Sequence, residues 1–189
     1  MKLVIPPRFE NATLDSFSVS GDQQRSVLAL VRSYVDKWES RKAAGAGLIF
    51  SGRPGTGKTH LAYAHCREIE ARYQQSVCIT TASRMTRLVR SARRRDGDLN
   101  EVEVFSFYSA FDYLLIDEVG IGMANDIDRS ILFDVVNSRY MDNLPTSIIT
   151  NLTPQECPIA IGEQTYDRLI CNTCTLVFPW DSYRRQPAR

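Results

Sequence analysis

Apolar residues recur along this chain in two alternating rhythms. Over 22–42, Val27, Leu30, Val31, Tyr34, Val35 and Trp38 fall three and four positions apart, the spacing that lines one face of a helix. Residues 1–21, ahead of it, hold prolines and scattered aromatics (Phe9, Phe17) without a period and read as an extended arm. "GAGLIF" then enters a short buried strand, and helical spacing returns over 58–73 with Leu61, Ala62, Cys66, Ile69 and Tyr73. "SVCITT" reads as a second strand, 83–95 as a helix, and the turn "DGD" leads to a further helix ending near 109. The apolar run "YLLIDE", 113–118, suits a central parallel strand. A helix over about 126–142 follows, with Ile127, Ile131, Leu132, Val135 and Val136 at core spacing. The strand "TSIITN", a helix over 158–170 and a last strand "TLVF" complete the series.

Strands alternating with helices predict an α/β fold: an open five-stranded parallel sheet with helices on both faces. The expected organisation is an arm over 1–21 and a single globular domain over 22–189. Only eleven residues follow Phe178, so no second domain and no C-terminal lid is expected.

Composition changes this picture little. The 189 residues are 43% hydrophobic, enough for one sizeable core. Lys and Arg total 23 against 22 Asp and Glu, so overall charge says nothing of nucleic acid and only local clustering could. No apolar run reaches the length of a membrane span, and "MKLVIPPRF" breaks into prolines before a secretory core could form. The expected location is the cytoplasm. Five cysteines, an odd number, suit a reducing compartment. Cys171 and Cys174 have C-x2-C spacing, but no second ligand pair stands at matching distance, so they read as ordinary thiols rather than a zinc site.

Chemistry concentrates in "SGRPGTGKTHLA". Gly52-Arg53-Pro54-Gly55-Thr56-Gly57-Lys58-Thr59 satisfies G-x-x-x-x-G-K-[ST] in full, between an apolar strand and an amphipathic helix. Glycines let the loop turn so that successive N–H groups face phosphates, and the following helix offers its N-terminal dipole to the same charge. Lys58 reaches the β- and γ-phosphates, and the Thr59 hydroxyl can ligate Mg²⁺. His60 continues the loop into the helix. "YLLIDE" carries Asp117 to the end of a central strand, where it can hold Mg²⁺ through water. Glu118 beside it suits a general base for the attacking water. Asn151, after "TSIIT", is expected at the same sheet edge, near the γ-phosphate. The alternative for Glu118 is a solvated strand end, and for Asn151 a turn.

Together these residues resemble AAA+ ATPases. "IPPRFENATLDSF", "FSGRPGTGKTHLA", "FDYLLIDEVG", "TSIITNLTPQE", "YDRL" and "FPWDSYRR", in that order, resemble DnaC-type replicative helicase loaders over roughly 5–185. The IstB-type insertion-sequence ATPases share much of the core. The resemblance implies ATP as the nucleotide, Arg168 in "YDRL" as an arginine finger presented to a neighbouring subunit, and Arg184 in "WDSYR" as a sensor-2 arginine. It implies self-association through the ATP site. Such loaders carry an N-terminal region that grips the helicase, and nothing here precedes the arm; the chain reads either as an ATPase fragment or as a short relative with another partner, so helicase binding by this polypeptide is not expected to follow the family pattern. Ile5 and Phe9 are candidate walls for the base.

"SRMTRLVRSARRRDGD" holds Arg84, Arg87, Arg90, Arg93, Arg94 and Arg95. On a helix, Met85, Leu88, Val89 and Ala92 fall on one face and most arginines on the other, a cationic ridge suited to single-stranded DNA. In the resembled loaders this segment lines a DNA channel. The plain alternative is a solvated face balanced by Asp96, Asp98, Glu101 and Glu103. If six phosphate contacts formed, affinity would fall about a thousandfold between about 50 and 200 mM salt. The expected function is an ATP-hydrolysing replication protein that binds single-stranded DNA and assists loading of the replicative helicase. The alternatives are a transposition helper acting on duplex DNA, a nucleotide-regulated adaptor with little turnover, and, least favoured, a small-molecule kinase.

Overall fold

Five parallel strands form one sheet: β1 (Leu48–Gly52), β2 (Val77–Thr81), β3 (Tyr113–Val119), β4 (Thr146–Thr150) and β5 (Cys174–Phe178). Their spatial order is β2-β3-β4-β1-β5. The computed structural model describes residues 3–94, 100–122 and 125–183. The helices are α1 (Asp22–Asp36), α2 (Trp38–Ala43), α3 (Lys58–Tyr73), α4 (Ala82–Ala92), α5 (Glu101–Ser109), α6 (Asp126–Met141), α7 (Cys157–Ile161) and α8 (Glu163–Ile170). All five expected strands are present, and the α/β architecture is as the hydrophobic pattern predicts.

Side-chain alternation along the strands divides the core in two. Leu48, Phe50, Tyr113, Leu115, Ile149, Leu176 and Phe178 face a layer built by α1, α2 and α3. Ile49, Leu114, Ile116 and Ile148 face the opposite layer, with α4, α5, α6 and α8. Because both faces are covered, the strands read as continuous apolar runs.

Several local expectations differ. The helix over 22–42 breaks at Lys37 (φ −103°, ψ 23°), and Leu30 stands 49% exposed. The turn at Lys37 re-aims the chain so that Trp38 is fully buried. The helix over 158–170 is two pieces, broken at Gly162, whose φ of 90° a helix cannot hold. Helix α4 ends at Ala92, so Arg93 and Arg94 lie beyond its last turn. Ile127 is 53% exposed, beside Arg90, Arg93 and Arg94 rather than in the core. Residues 3–21 contain one 3-10 turn, Pro7–Phe9, and bury Ala12, Leu14 and Phe17.

Candidate nucleotide site

Three strands adjacent in space, β3, β4 and β1, deliver their carboxyl ends to one edge, where α/β sheets bind ligands. The passage from β1 into α3 carries Gly52–Thr59, Asp117 and Glu118 stand near the end of β3, and Asn151 directly follows β4. Pro54, Gly55, Gly57, Lys58, Thr59, His60, Asp117, Glu118 and Asn151 line one cleft of about 430 Å³. The separate motifs thus converge on a single site.

The glycines serve different ends. Gly55 (φ 81°) and Gly57 (φ 93°) take the left-handed conformation that turns the loop into α3. A Cβ on Gly57 would lie 2.7 Å from the Phe17 ring. Gly52 is needed instead because β5 approaches closely: a Cβ there would meet the Phe178 carbonyl oxygen at 2.5 Å.

Lys58 is buried at the first position of α3. Its Nζ donates to the carbonyls of Gly52 (2.6 Å) and Arg53 (2.8 Å) and to Asn151 Oδ1 (2.9 Å). Asn151 therefore reaches the lysine of the glycine loop directly. Thr56, buried, donates to the Arg53 carbonyl at 2.8 Å and fixes the loop from within.

Asp117 and Glu118 occupy an irregularity in the pairing of β3 with β4, between Ile116 and Val119. Glu118 has φ 59°, uncommon for a residue with a Cβ, and its side chain is exposed to the cleft. Such strained positions cluster at functional sites. Asp117 is buried; its Oδ1 accepts from the Glu118 N–H at 2.7 Å and its Oδ2 from the Tyr63 hydroxyl at 3.4 Å. Burial raises its proton affinity, against the lowering effect of the Glu118 amide. The Asp117 carboxylate and the Thr59 hydroxyl line the same cleft, and such oxygen donors fit a hard divalent cation completed by phosphate oxygens and water. Among the described residues no group of three or more His, Cys, Asp or Glu could hold a metal by itself.

The arm and the C-terminal segment both close on this loop. Arg8, Phe9, Ser16, Phe17 and Ser18 line the cleft with Tyr183. His60 Nε2 bonds the Thr13 carbonyl (2.9 Å) and Ser16 Oγ (3.2 Å), which ties α3 to the arm. Trp180 Nε1 donates to the Thr56 carbonyl (2.9 Å) and the Tyr183 N–H to the Gly55 carbonyl (2.9 Å). The Tyr183 hydroxyl donates to the Ser18 carbonyl at 2.8 Å. Phe9 is a wall of the cleft, whereas Ile5 packs against the core on the α3 side. Arg8, Phe17, Tyr63 and Tyr183 are not expected at the site from the sequence, because their positions depend on contacts between distant segments.

Arg168 does not line the cleft of its own chain. It sits on α8, half-buried against α6. Arg184 and Arg95 lie outside the described residues. Of the other ridge arginines, Arg84, Arg87, Arg90, Arg93 and Arg94 are exposed. Arg90 pairs with Asp128 of α6 at 2.7 Å, and Arg93 with Glu101 of α5. Glu101 draws the Arg93 guanidinium upward in proton affinity through their hydrogen bond. The cationic ridge is therefore partly neutralised from within.

Comparison with known proteins agrees with this geometry. A family described as "IstB-like ATP binding protein" matches residues 11–189. The replicative helicase loader DnaC of Escherichia coli K12 is 32% identical over 181 residues, spanning 95% of this chain and 72% of that protein. The crystal structure of the DnaC helicase loader superposes with a TM-score of 0.82 at 22% identity, covering 92% of this chain and 99% of that one. The replication initiator DnaA, bound to AMPPCP and single-stranded DNA, superposes at 0.75 with 20% identity, covering 91% of this chain and 51% of that one. The fold is that of AAA+ P-loop proteins. Among the described residues no helix is long and apolar enough to cross a membrane.

Proposed function

The chain belongs to the IstB/DnaC-like ATPase family, and from that membership we propose that it is a Mg²⁺-dependent ATPase of DNA replication. It binds single-stranded DNA, assembles with further copies of itself through the ATP site, and assists placement of a replicative helicase. The observation that carries the reading is the convergence of Lys58, Thr59, Asp117, Glu118 and Asn151 on one cleft of a DnaC-like chain.

The roles divide by chemistry. Backbone N–H groups of Gly55–Thr59, at the start of α3, receive the phosphates, and Lys58 exchanges its loop carbonyls for phosphate oxygens. Thr59 and Asp117 hold Mg²⁺, which supplies charge neutralisation at the phosphates when bound. Glu118, held in its unusual backbone conformation, orients the attacking water and takes its proton. Asn151 contacts the γ-phosphate or that water. Arg168 comes from the neighbouring copy, since a guanidinium supplied in trans couples hydrolysis to assembly. The exposed arginines of α4 and the turn after it contact the DNA backbone.

The experiment is binding of labelled single- and double-stranded DNA with ATP, ADP or neither, alongside phosphate release. Tight, ATP-dependent single-strand binding with turnover supports the reading. Duplex preference favours the transposition helper, a reading that the match to the IstB-like family keeps open. ATP binding without turnover or DNA contact sinks both and leaves a nucleotide-regulated adaptor.

A further inference from the structure

Arg168 is held by a face of α6 that neither its sequence motif nor the nucleotide site explains. Its Nε donates to Asn137 Oδ1 at 2.6 Å, and Nη1 to the Gln164 carbonyl at 3.2 Å. The guanidinium carbon lies 4.8 Å from the centre of the Phe133 ring and 5.9 Å from that of Tyr140. Phe133, Asn137 and Tyr140 stand at i, i+4 and i+7 on α6, and so share one face of it. Two aromatic rings and one amide oxygen thus address a single side chain. Among the described residues no carboxylate pairs with Arg168, so its charge is not neutralised where it sits.

A long arginine left to itself samples many rotamers, and presenting it to another molecule then costs side-chain entropy. A neutral acceptor at Nε fixes the plane of the guanidinium while keeping its charge, and aromatic faces restrain it without compensating it. We propose that Asn137, with Phe133 and Tyr140, is a positioning residue that aims Arg168 at the nucleotide of a second copy of this chain. The inference rests on the reading of Arg168 as a residue that acts in trans. It assigns to α6 a function that the family resemblance did not supply.

The test uses Asn137→Leu, nearly isosteric and without the acceptor, with Asn137→Ser as a second variant should the first fold poorly. Arg168→Ala and Lys58→Ala are made in parallel, and ATP binding, melting temperature and steady-state hydrolysis are measured for each. Misplacing the guanidinium is expected to lower kcat about tenfold to a hundredfold, with KM, ATP affinity and melting temperature retained. Mixing then decides where the defect acts. A Lys58→Ala subunit has no working nucleotide site of its own but carries an intact Arg168 and its α6 cradle. Combined with Asn137→Leu subunits, it should restore hydrolysis above the sum of the two variants alone.

Wild-type kcat in both Asn137 variants, with Arg168→Ala inactive, overturns the cradle and leaves the trans arginine standing. A loss that mixing does not restore places the effect of Asn137 within its own subunit and likewise overturns the proposal. Full hydrolysis by Arg168→Ala overturns the underlying reading instead.

Discussion

Lys58 and Asn151, 93 positions apart in sequence, share a hydrogen bond of 2.9 Å in the candidate nucleotide cleft. The bond links the loop after β1 to the end of β4, strands that lie side by side in the sheet. It also separates two effects that mutation can distinguish. Lys58→Ala removes a cation that makes charge-assisted bonds worth roughly 1.5–3 kcal/mol each, so ATP affinity should fall about tenfold to a hundredfold or more. Asn151→Ala leaves the lysine and its loop carbonyls in place. Its ATP affinity should stay within a few-fold of wild type, while hydrolysis drops by about a hundredfold, as for loss of one polar group at the reacting phosphate. Titration with a fluorescent nucleotide and a phosphate-release assay check both. Equal loss of binding and turnover in Asn151→Ala would make it a structural partner of Lys58 only.

Arg168 lies outside the cleft of its own chain, so its removal takes no group from that chain's P-loop. The proposed role in trans predicts that Arg168→Ala lowers hydrolysis by roughly a thousandfold or more, the scale of an arginine finger, with ATP binding spared. The same two assays report it. Loss of binding in step with turnover would remove its assignment.

DNA binding should depend on salt less steeply than six arginines would predict. Arg90 and Arg93 are already paired with Asp128 and Glu101, while Arg84, Arg87 and Arg94 stand exposed with no such ion pair among the described residues. With Arg95 counted beside those three, four contacts give a fall of about a hundredfold between about 50 and 200 mM salt, against about a thousandfold for six. Fluorescence anisotropy across that range measures the slope. Asp128→Asn frees Arg90 and should steepen it by nearly one contact; an unchanged slope would put Arg90 outside the interface.

The sheet and the phosphate loop were legible because their signals are local. Buried parallel strands appear as apolar runs, and Gly52–Thr59 carries its own spacing. Asp117 and Asn151 followed from the rule that parallel strands bring their carboxyl ends to one edge. What escaped depends on distant contacts. The pairing of Arg90 with Asp128 joins α4 to α6, and the acids beside the ridge in sequence gave no sign of it. Trp180 and Tyr183 were visible only as a family motif, yet they bond the carbonyls of Thr56 and Gly55. The breaks at Lys37 and Gly162 were hidden because apolar spacing continues across each. Gly162 was the one warning, and an isolated glycine is weak evidence against a helix. The left-handed Glu118 has no sequence signature, since nothing in "LLIDEVG" distinguishes it from an ordinary strand residue.

Behind the P-loop, His65 links α3 to the sheet. It is fully buried, its Nε2 lies 2.7 Å from the Tyr113 hydroxyl, and that hydroxyl in turn bonds Ser147. Burial outweighs the hydrogen bonds to the backbone and lowers the imidazole from an ordinary 6.5 to about 4. In the unfolded chain the ring takes up a proton below about pH 6.5, whereas in the folded protein it stays neutral until about pH 4. The unfolded state thus binds the extra proton across that window, and stability is lost as pH falls through it. At about pH 5 the cost is about 2 kcal/mol relative to neutral pH. Chemical denaturation of wild type and His65→Gln at about pH 7.5 and pH 5 measures the difference between their pH dependences. His65→Gln should be less stable at the higher pH, since it disturbs the bond to Tyr113, but should lose about 2 kcal/mol less on acidification. Parallel losses in the two proteins would show that His65 does not carry the acid sensitivity of the fold.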